Sequence, residues 1–291
     1  MTDSAEAERL VQLGIELSDV GRSADAEGAY RAAARADPEW SVPWYNLGLL
    51  CKCQGRWAES LDFNQRAALL DPEHQANWWN LAIAATALGN WLEARRAWSG
   101  CGIQLPPGAG PPDGDYGLTP LRLDADGVGE VVWGRRIDPA RARLQSVPLP
   151  GSPFRWADLV LHDGAPEGFR LLHGKQLPVF NVLMRLEPSS FKTFVVRLGT
   201  TDASAIERLE QVATELGGAA ENWGTSTNIL CRECSLGVPH AHPEHKGTPA
   251  HPHCGIAARD AQHAKQILDH WAQTTPDADL GHWALAPGNP E

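Results

Sequence analysis

The residues best equipped for chemistry lie in one short stretch: Cys231-Arg-Glu-Cys234-Ser-Leu-Gly-Val-Pro-His240-Ala-His242-Pro-Glu-His245-Lys-Gly-Thr-Pro-Ala-His251-Pro-His253-Cys254. Three cysteines and five histidines fall within 24 residues. A C-x2-C pair can clasp one metal with both thiolates, and imidazoles a few residues later can complete a tetrahedron. Thiolate ligands select zinc over magnesium or calcium, which prefer oxygen. The expected ligands are Cys231, Cys234, His240 and His245, with His242, His253 and Cys254 as alternatives. The stretch has almost no apolar side chains, so coordination would supply the order that burial cannot. The competing reading is a histidine-rich loop with incidental thiols.

A structural zinc site closes all four positions with protein groups, whereas a catalytic one leaves a position for water. Four or more available ligands and no H-E-x-x-H helix favour the structural role. The chain also lacks a G-x-x-x-x-G-K-[ST] phosphate loop, a G-x-G-x-x-G turn and a G-x-S-x-G elbow. No catalytic residue is assigned, and a non-enzymatic reading stands ahead of an enzymatic one. His162-Asp163 and His173 sit beside glycines and are read as turn residues.

The elements that would position this loop follow from the flanking pattern. Runs at Phe191 to Leu198, Ser226 to Cys231, Cys254 to Arg259 and Gly281 to Leu285 are strand-like, and Ala203 to Leu216 and Ala261 to Trp271 carry helical stripes. The order βαββαβ is that of a ferredoxin-like α+β domain, expected over residues 188–287 with the Cys/His loop at 231–254. A domain of this topology could also sense a small molecule. Upstream, residues 121–187 alternate with period two between glycines and prolines, which predicts a β-rich segment, a small barrel or an antiparallel sheet. Residues 107–120, dense in proline and glycine, read as a linker.

The amino-terminal third repeats with a period of 34 residues: Gly21, Gly55 and Gly89; Pro38, Pro72 and Pro106; Leu10, Trp44 and Trp78; Leu13, Leu47 and Leu81. Glycine suits the turn between two antiparallel helices, and proline ends the helix before it. The second unit, Trp44-Tyr-Asn-Leu47-Gly48 followed by Gly55-Arg-Trp57, Ala67 and Asp71-Pro72, resembles the tetratricopeptide repeat family. The first unit is a divergent cap, with Leu10 for the family's tryptophan, and Asn64 stands where an aromatic is common. The resemblance implies three helical hairpins over residues 7–106, whose first helices form a concave wall that binds proteins.

Helical spacing places Val11, Ile15, Val42, Tyr45, Leu49, Trp79 and Ile83 on that wall, and Tyr45, Leu49, Trp79 and Ile83 are the candidate protein-binding residues. Ile15, Ala76 and Thr86 stand where the family's clamp for a chaperone tail needs cationic or amide side chains, so that partner is excluded. The groove is either open to an apolar peptide or helix, or covered by the chain's own carboxy-terminal half.

Composition sets the remaining bounds. A net charge of −11 argues against a sequence-independent grip on nucleic acid, and Arg135, Arg136, Arg141 and Arg143 read as scattered surface arginines. No apolar run approaches the ~20 residues a bilayer requires. The acidic amino terminus is unlike a secretory signal, so a cytoplasmic protein is expected. The sequence thus describes a multidomain adaptor or regulatory protein that binds a protein partner and carries zinc. A zinc-dependent, hydrolase-like enzyme is the alternative.

Overall fold

The computed structural model describes residues 4–123, 129–172, 174–226, 253–276 and 278–288. It divides into two compact units, residues 1–113 and 114–291. No helix among the described residues is long and apolar enough to cross a membrane.

The first unit is built of six helices in three successive antiparallel pairs: α1 (Ser4–Asp19) with α2 (Ser23–Ala36), α3 (Ser41–Cys53) with α4 (Trp57–Leu70), and α5 (Gln75–Ala87) with α6 (Trp91–Gly100). The three hairpins follow the 34-residue period of the sequence. Gly21, Gly55 and Gly89 take φ of +75°, +68° and +67° at the three inter-helix turns, the left-handed region where a side chain is strained. Trp44 donates its indole N–H to the Pro38 carbonyl at 3.1 Å, and Trp78 does the same to Pro72 at 2.7 Å. The same latch thus recurs one repeat later.

Inside the first two hairpins a small residue on the first helix faces a larger one on the second. A β-carbon at Gly14 would lie 2.4 Å from the Tyr30 ring, and one at Gly48 would lie 2.4 Å from the Asn64 amide. At the corresponding positions of the third hairpin stand Ala82 and Trp98, both almost fully buried. Asn64, out of place by the family pattern, is fully buried. Its amide donates to the Ser60 carbonyl at 2.8 Å, and the Ser60 hydroxyl donates to the Gly48 carbonyl at 2.8 Å. A polar link there replaces aromatic packing.

The second unit begins with a closed five-stranded barrel: β1 (Leu118–Arg122), β2 (Val131–Arg136), β3 (Arg141–Leu144), β4 (Leu159–Leu172) and β5 (Lys175–Glu187). Neighbours in sequence pair antiparallel, and β1 closes the ring against β5 in parallel. One expectation is corrected here. The segment assigned as linker ends early, because β1 starts at Leu118; Pro120 sits within β1 just before pairing to β5 begins at Leu121. The long, bent β4 contains Pro166, and register shifts on either side of it absorb the missing N–H.

After the barrel come β6 (Lys192–Leu198), α7 (Ala203–Glu215), β7 (Ala219–Asn222), the short α8 (Trp223–Ser226), β8 (His253–Ala258), α9 (Ala261–Thr274) and β9 (Leu280–Leu285). The four strands form one sheet in the order β7-β8-β6-β9. Asp202 and Asp260 cap the helices, accepting from backbone N–H groups of the first turn. Ile206, Leu209, Val212, Ile267, Leu268 and Trp271 bury their stripes against Phe194, Val196 and Ile256. The strand paired with β8 is Ala219–Asn222, and Trp223–Ser226 is helical; of the strand expected over Ser226–Cys231, all but Ser226 lies outside the described residues. Trp223 is drawn inward, donating its indole N–H to the Val147 carbonyl at 2.8 Å.

Candidate functional site

The wall of the helical unit is assembled from α3 and α5. On α3, Tyr45 and Leu49 are half-buried one turn apart, and the Tyr45 ring meets His74 edge-on at 6.2 Å. On α5, Trp79 is half-buried and stands edge-on to Trp98 at 5.0 Å, with an interplanar angle of 88°. Its indole N–H has no hydrogen-bond partner among the described residues. Ile83, expected on the wall, is 0% exposed and presents no surface to a partner. Every residue from Asn80 to Thr86 is buried, so the helical period alone misjudged this helix.

Across the same two helices, Lys52 donates its ammonium to the Asn80 side-chain carbonyl at 3.0 Å, both residues being buried. Thr86 is buried with its hydroxyl donating to the Ala82 carbonyl at 2.7 Å. The accessible part of the candidate groove is thus Tyr45 and Leu49, with part of Trp79.

Cys231, Cys234, His240, His242 and His245 lie outside the described residues. Of the alternative ligands, His253 opens β8, half-buried. Cys254 is 1% exposed within the apolar core under α7 and α9, and burial pushes its thiol up to about 12. Among the described residues no group of three or more His, Cys, Asp or Glu side chains could hold a metal ion.

His162, read as a turn residue, is instead inside β4 and 0% exposed. Its ring stacks on Phe180 at 5.3 Å, and Nδ1 lies 2.8 Å from the Asp163 carbonyl oxygen. Desolvation holds its pKa down to about 4, so it is neutral at physiological pH. His173 lies outside the described residues. The arginine cluster is not uniformly superficial either: Arg141 is buried against Asp138 at 2.5 Å, and Arg136 lies over the Phe180 ring at 5.6 Å.

A second constellation, invisible in the sequence, occupies a cleft of about 460 Å³ in the second unit. Asp158, 0% exposed, accepts the Ser189 N–H at 2.7 Å and the Arg155 N–H at 2.9 Å, and its carboxylate lies 3.4 Å from Arg185 Nη1. Arg155, Arg185, Pro153, Pro188 and Phe191 complete the wall.

No protein-family model matches the chain, and no curated protein matches it. Solved structures do. The second TPR of Spaghetti (RPAP3), bound to the HSP90 peptide SRMEEVD, is 19% identical over 34% of this chain and 92% of its own, with a TM-score of 0.33. The first TPR of the same protein, bound to the same peptide, is 21% identical over 34% of this chain and 79% of its own, with a TM-score of 0.33. The type III secretion translocator chaperone SycD of Yersinia enterocolitica is 19% identical over 34% of this chain and 75% of its own, with a TM-score of 0.32.

Proposed function

We propose that this chain is a non-enzymatic adaptor or regulatory protein whose helical hairpins hold a protein or peptide partner. The observation that carries this reading is the wall itself: a half-buried aromatic and a half-buried aliphatic, Tyr45 and Leu49, one turn apart on the first helix of the middle hairpin. Such a pair suits the apolar face of a peptide or helix laid across the groove. Ile15, Ala76 and Thr86 still leave no cationic clamp for an acidic chaperone tail, so the partner sought is apolar.

Pull-downs with wild-type protein and with Tyr45→Ala plus Leu49→Ala test this. Loss of a reproducible set of partners supports the groove, and identical partner lists overturn it. Trp79 is left intact because its contact with Trp98 belongs to the fold.

The four-stranded part of the second unit is read as ferredoxin-like, supported by its βαββαβ order with β8 and β6 central. The connection between α8 and β8 carries a structural zinc ion in this proposal, held by Cys231, Cys234, His240 and His245. The reading rests on their spacing and on the chemistry of thiolate and imidazole donors. Elemental analysis of purified protein should return one zinc per chain, lost in Cys231→Ser plus Cys234→Ser. Cobalt substitution separates the two zinc readings: a closed Cys2His2 tetrahedron supports the adaptor, and a cobalt-bound water supports the enzyme.

A further inference from the structure

The cleft around Asp158 has the composition of an anion receptor. Two guanidinium groups, those of Arg155 and Arg185, face one carboxylate, and Asp158 is the only acid among its described lining residues, which leaves the wall one positive charge in excess. The two arginines differ in what they have left to offer. Arg155 is 7% exposed and its Nη atoms are committed to carbonyls: Phe154 at 2.6 Å, Gly288 at 2.7 Å and Ser152. Burial and the neighbouring Arg185 both work against its charge, and Asp158 supports it. It is a fixed background charge.

Arg185 is 39% exposed and uses only Nη1, on the Pro153 carbonyl at 2.6 Å and on Asp158. Its Nε and Nη2 donate to no acceptor among the described residues. The guanidinium is therefore anchored on one side by a buried carboxylate and keeps the N–H pair suited to bidentate capture of a carboxylate or phosphate.

Beside it the cleft turns apolar. Phe191 is fixed edge-on to Trp156 at 4.5 Å and 90°, and Pro153 and Pro188 complete that side. A volume of about 460 Å³ is within the ~300–1,000 Å³ range of small-molecule sites. Four segments converge here: the loop before β4, the end of β5, the connection to β6 and the turn after β9. A site at the seam of barrel and sheet is where ligand binding commonly occurs within a chain.

We infer that this cleft binds a small organic anion, its carboxylate or phosphate head on Arg185 and its carbon body against Phe191 and the two prolines. This assigns the second unit a ligand of its own, independent of the protein partner of the helical unit.

Calorimetric titration of the full chain with phenyl phosphate, benzoate and inorganic phosphate, at constant ionic strength, tests it. Saturable one-to-one binding of phenyl phosphate or benzoate is expected, tighter than inorganic phosphate, and the stronger of the two identifies the head group. Arg185→Ala should weaken it about ten-fold or more, the weight of one charge-assisted contact, and Arg185→Lys should fall between. Arg143→Ala, an exposed arginine outside the cleft, should bind as wild type. Circular dichroism confirms that the variants fold; should Arg185→Ala not fold, Arg185→Lys and Phe191→Leu decide. Absence of saturable binding, or equal binding by wild type and the Arg185 variants, overturns the proposal.

Discussion

In the helical unit Glu27 accepts hydrogen bonds from Arg31 at 2.7 Å and from Arg56 at 2.6 Å, and these guanidinium groups hold its carboxyl down at about 2. In the second unit Glu130 lies largely out of solvent near Glu221, and its carboxyl is pushed up to about 7 although the Leu149 N–H donates to it at 2.8 Å. The first arrangement ties one hairpin to the next from outside a core of small residues and aromatics. The second belongs to a unit that also buries Arg122, Asp138, Arg141, Asp158 and His162. In the repeats a polar tie can run between neighbouring hairpins near the surface, whereas the barrel-and-sheet unit buries more charge, satisfied both locally, as Asp138 with Arg141, and through distant partners, as Asp158 with Ser189.

The largest effects should come from removing an aromatic from each core. Trp98→Ala and Trp271→Ala are each expected to cost about 3–5 kcal/mol in urea unfolding, since both rings are almost fully buried. Trp271 also donates its indole N–H to the Ala205 carbonyl at 2.8 Å. A much smaller loss for Trp98 would show that the helical unit is not packed as described.

Gly48→Ala should cost about 1–3 kcal/mol by driving a methyl into Asn64. Combining it with Asn64→Ala should recover part of that loss, a coupling readable in a double-mutant cycle. Gly55→Ala at φ of +68° should cost about 1–2 kcal/mol with no neighbour involved. Equal coupling of both glycine variants to Asn64→Ala would erase the distinction between close approach and turn geometry.

The smallest effects are electrostatic and of opposite sign. Glu27 has its folded pKa depressed, so its contribution is present above about 4.5 and is lost as pH falls toward about 2. Glu27→Gln should flatten that acid limb, by about 1 kcal/mol or less given the partial exposure of the pair. Glu130 has its folded pKa raised, so its contribution is present below about 4.5 and is lost as pH rises to about 7. His162, with a lowered folded pKa, destabilises as pH falls from 6.5 toward about 4 and opposes Glu130 over that window. Glu130→Gln should therefore raise the melting temperature at pH 7.5 relative to wild type and steepen its loss toward pH 5. A parallel profile would mean that Glu130 is solvated.

How far the sequence foretold this architecture depended on whether the deciding forces are local. The turn glycines, and the tryptophans of the second and third repeats, could be read from spacing because the same positions recur every 34 residues. Ile83 was misplaced because Leu81 to Ala85 is uniformly apolar, and a helix without a polar stripe does not declare an exposed side. Pro166 and Pro120 would interrupt a regular central strand, yet a register shift admits the first in β4 and a position paired only to β2 admits the second in β1. The Asp158 cleft had no signature at all. Arg155 and Arg185 belong to no spacing motif and meet only because β4 and β5 pair along the barrel wall.

The indole-to-carbonyl latch from Trp44 to Pro38 and from Trp78 to Pro72 makes the second and third hairpins each carry their own fastening to the preceding turn. A fastening that refers only to its immediate predecessor can be copied. A tandem duplication of residues 38–71 brings the donor, the acceptor and the turn glycine with it, so the helical array can grow or shrink by whole repeats with this joint intact, although the Glu27–Arg56 tie would not be copied because Leu61 stands 34 residues after Glu27. Its length, and with it the reach of the wall it offers, is an adjustable property of this architecture.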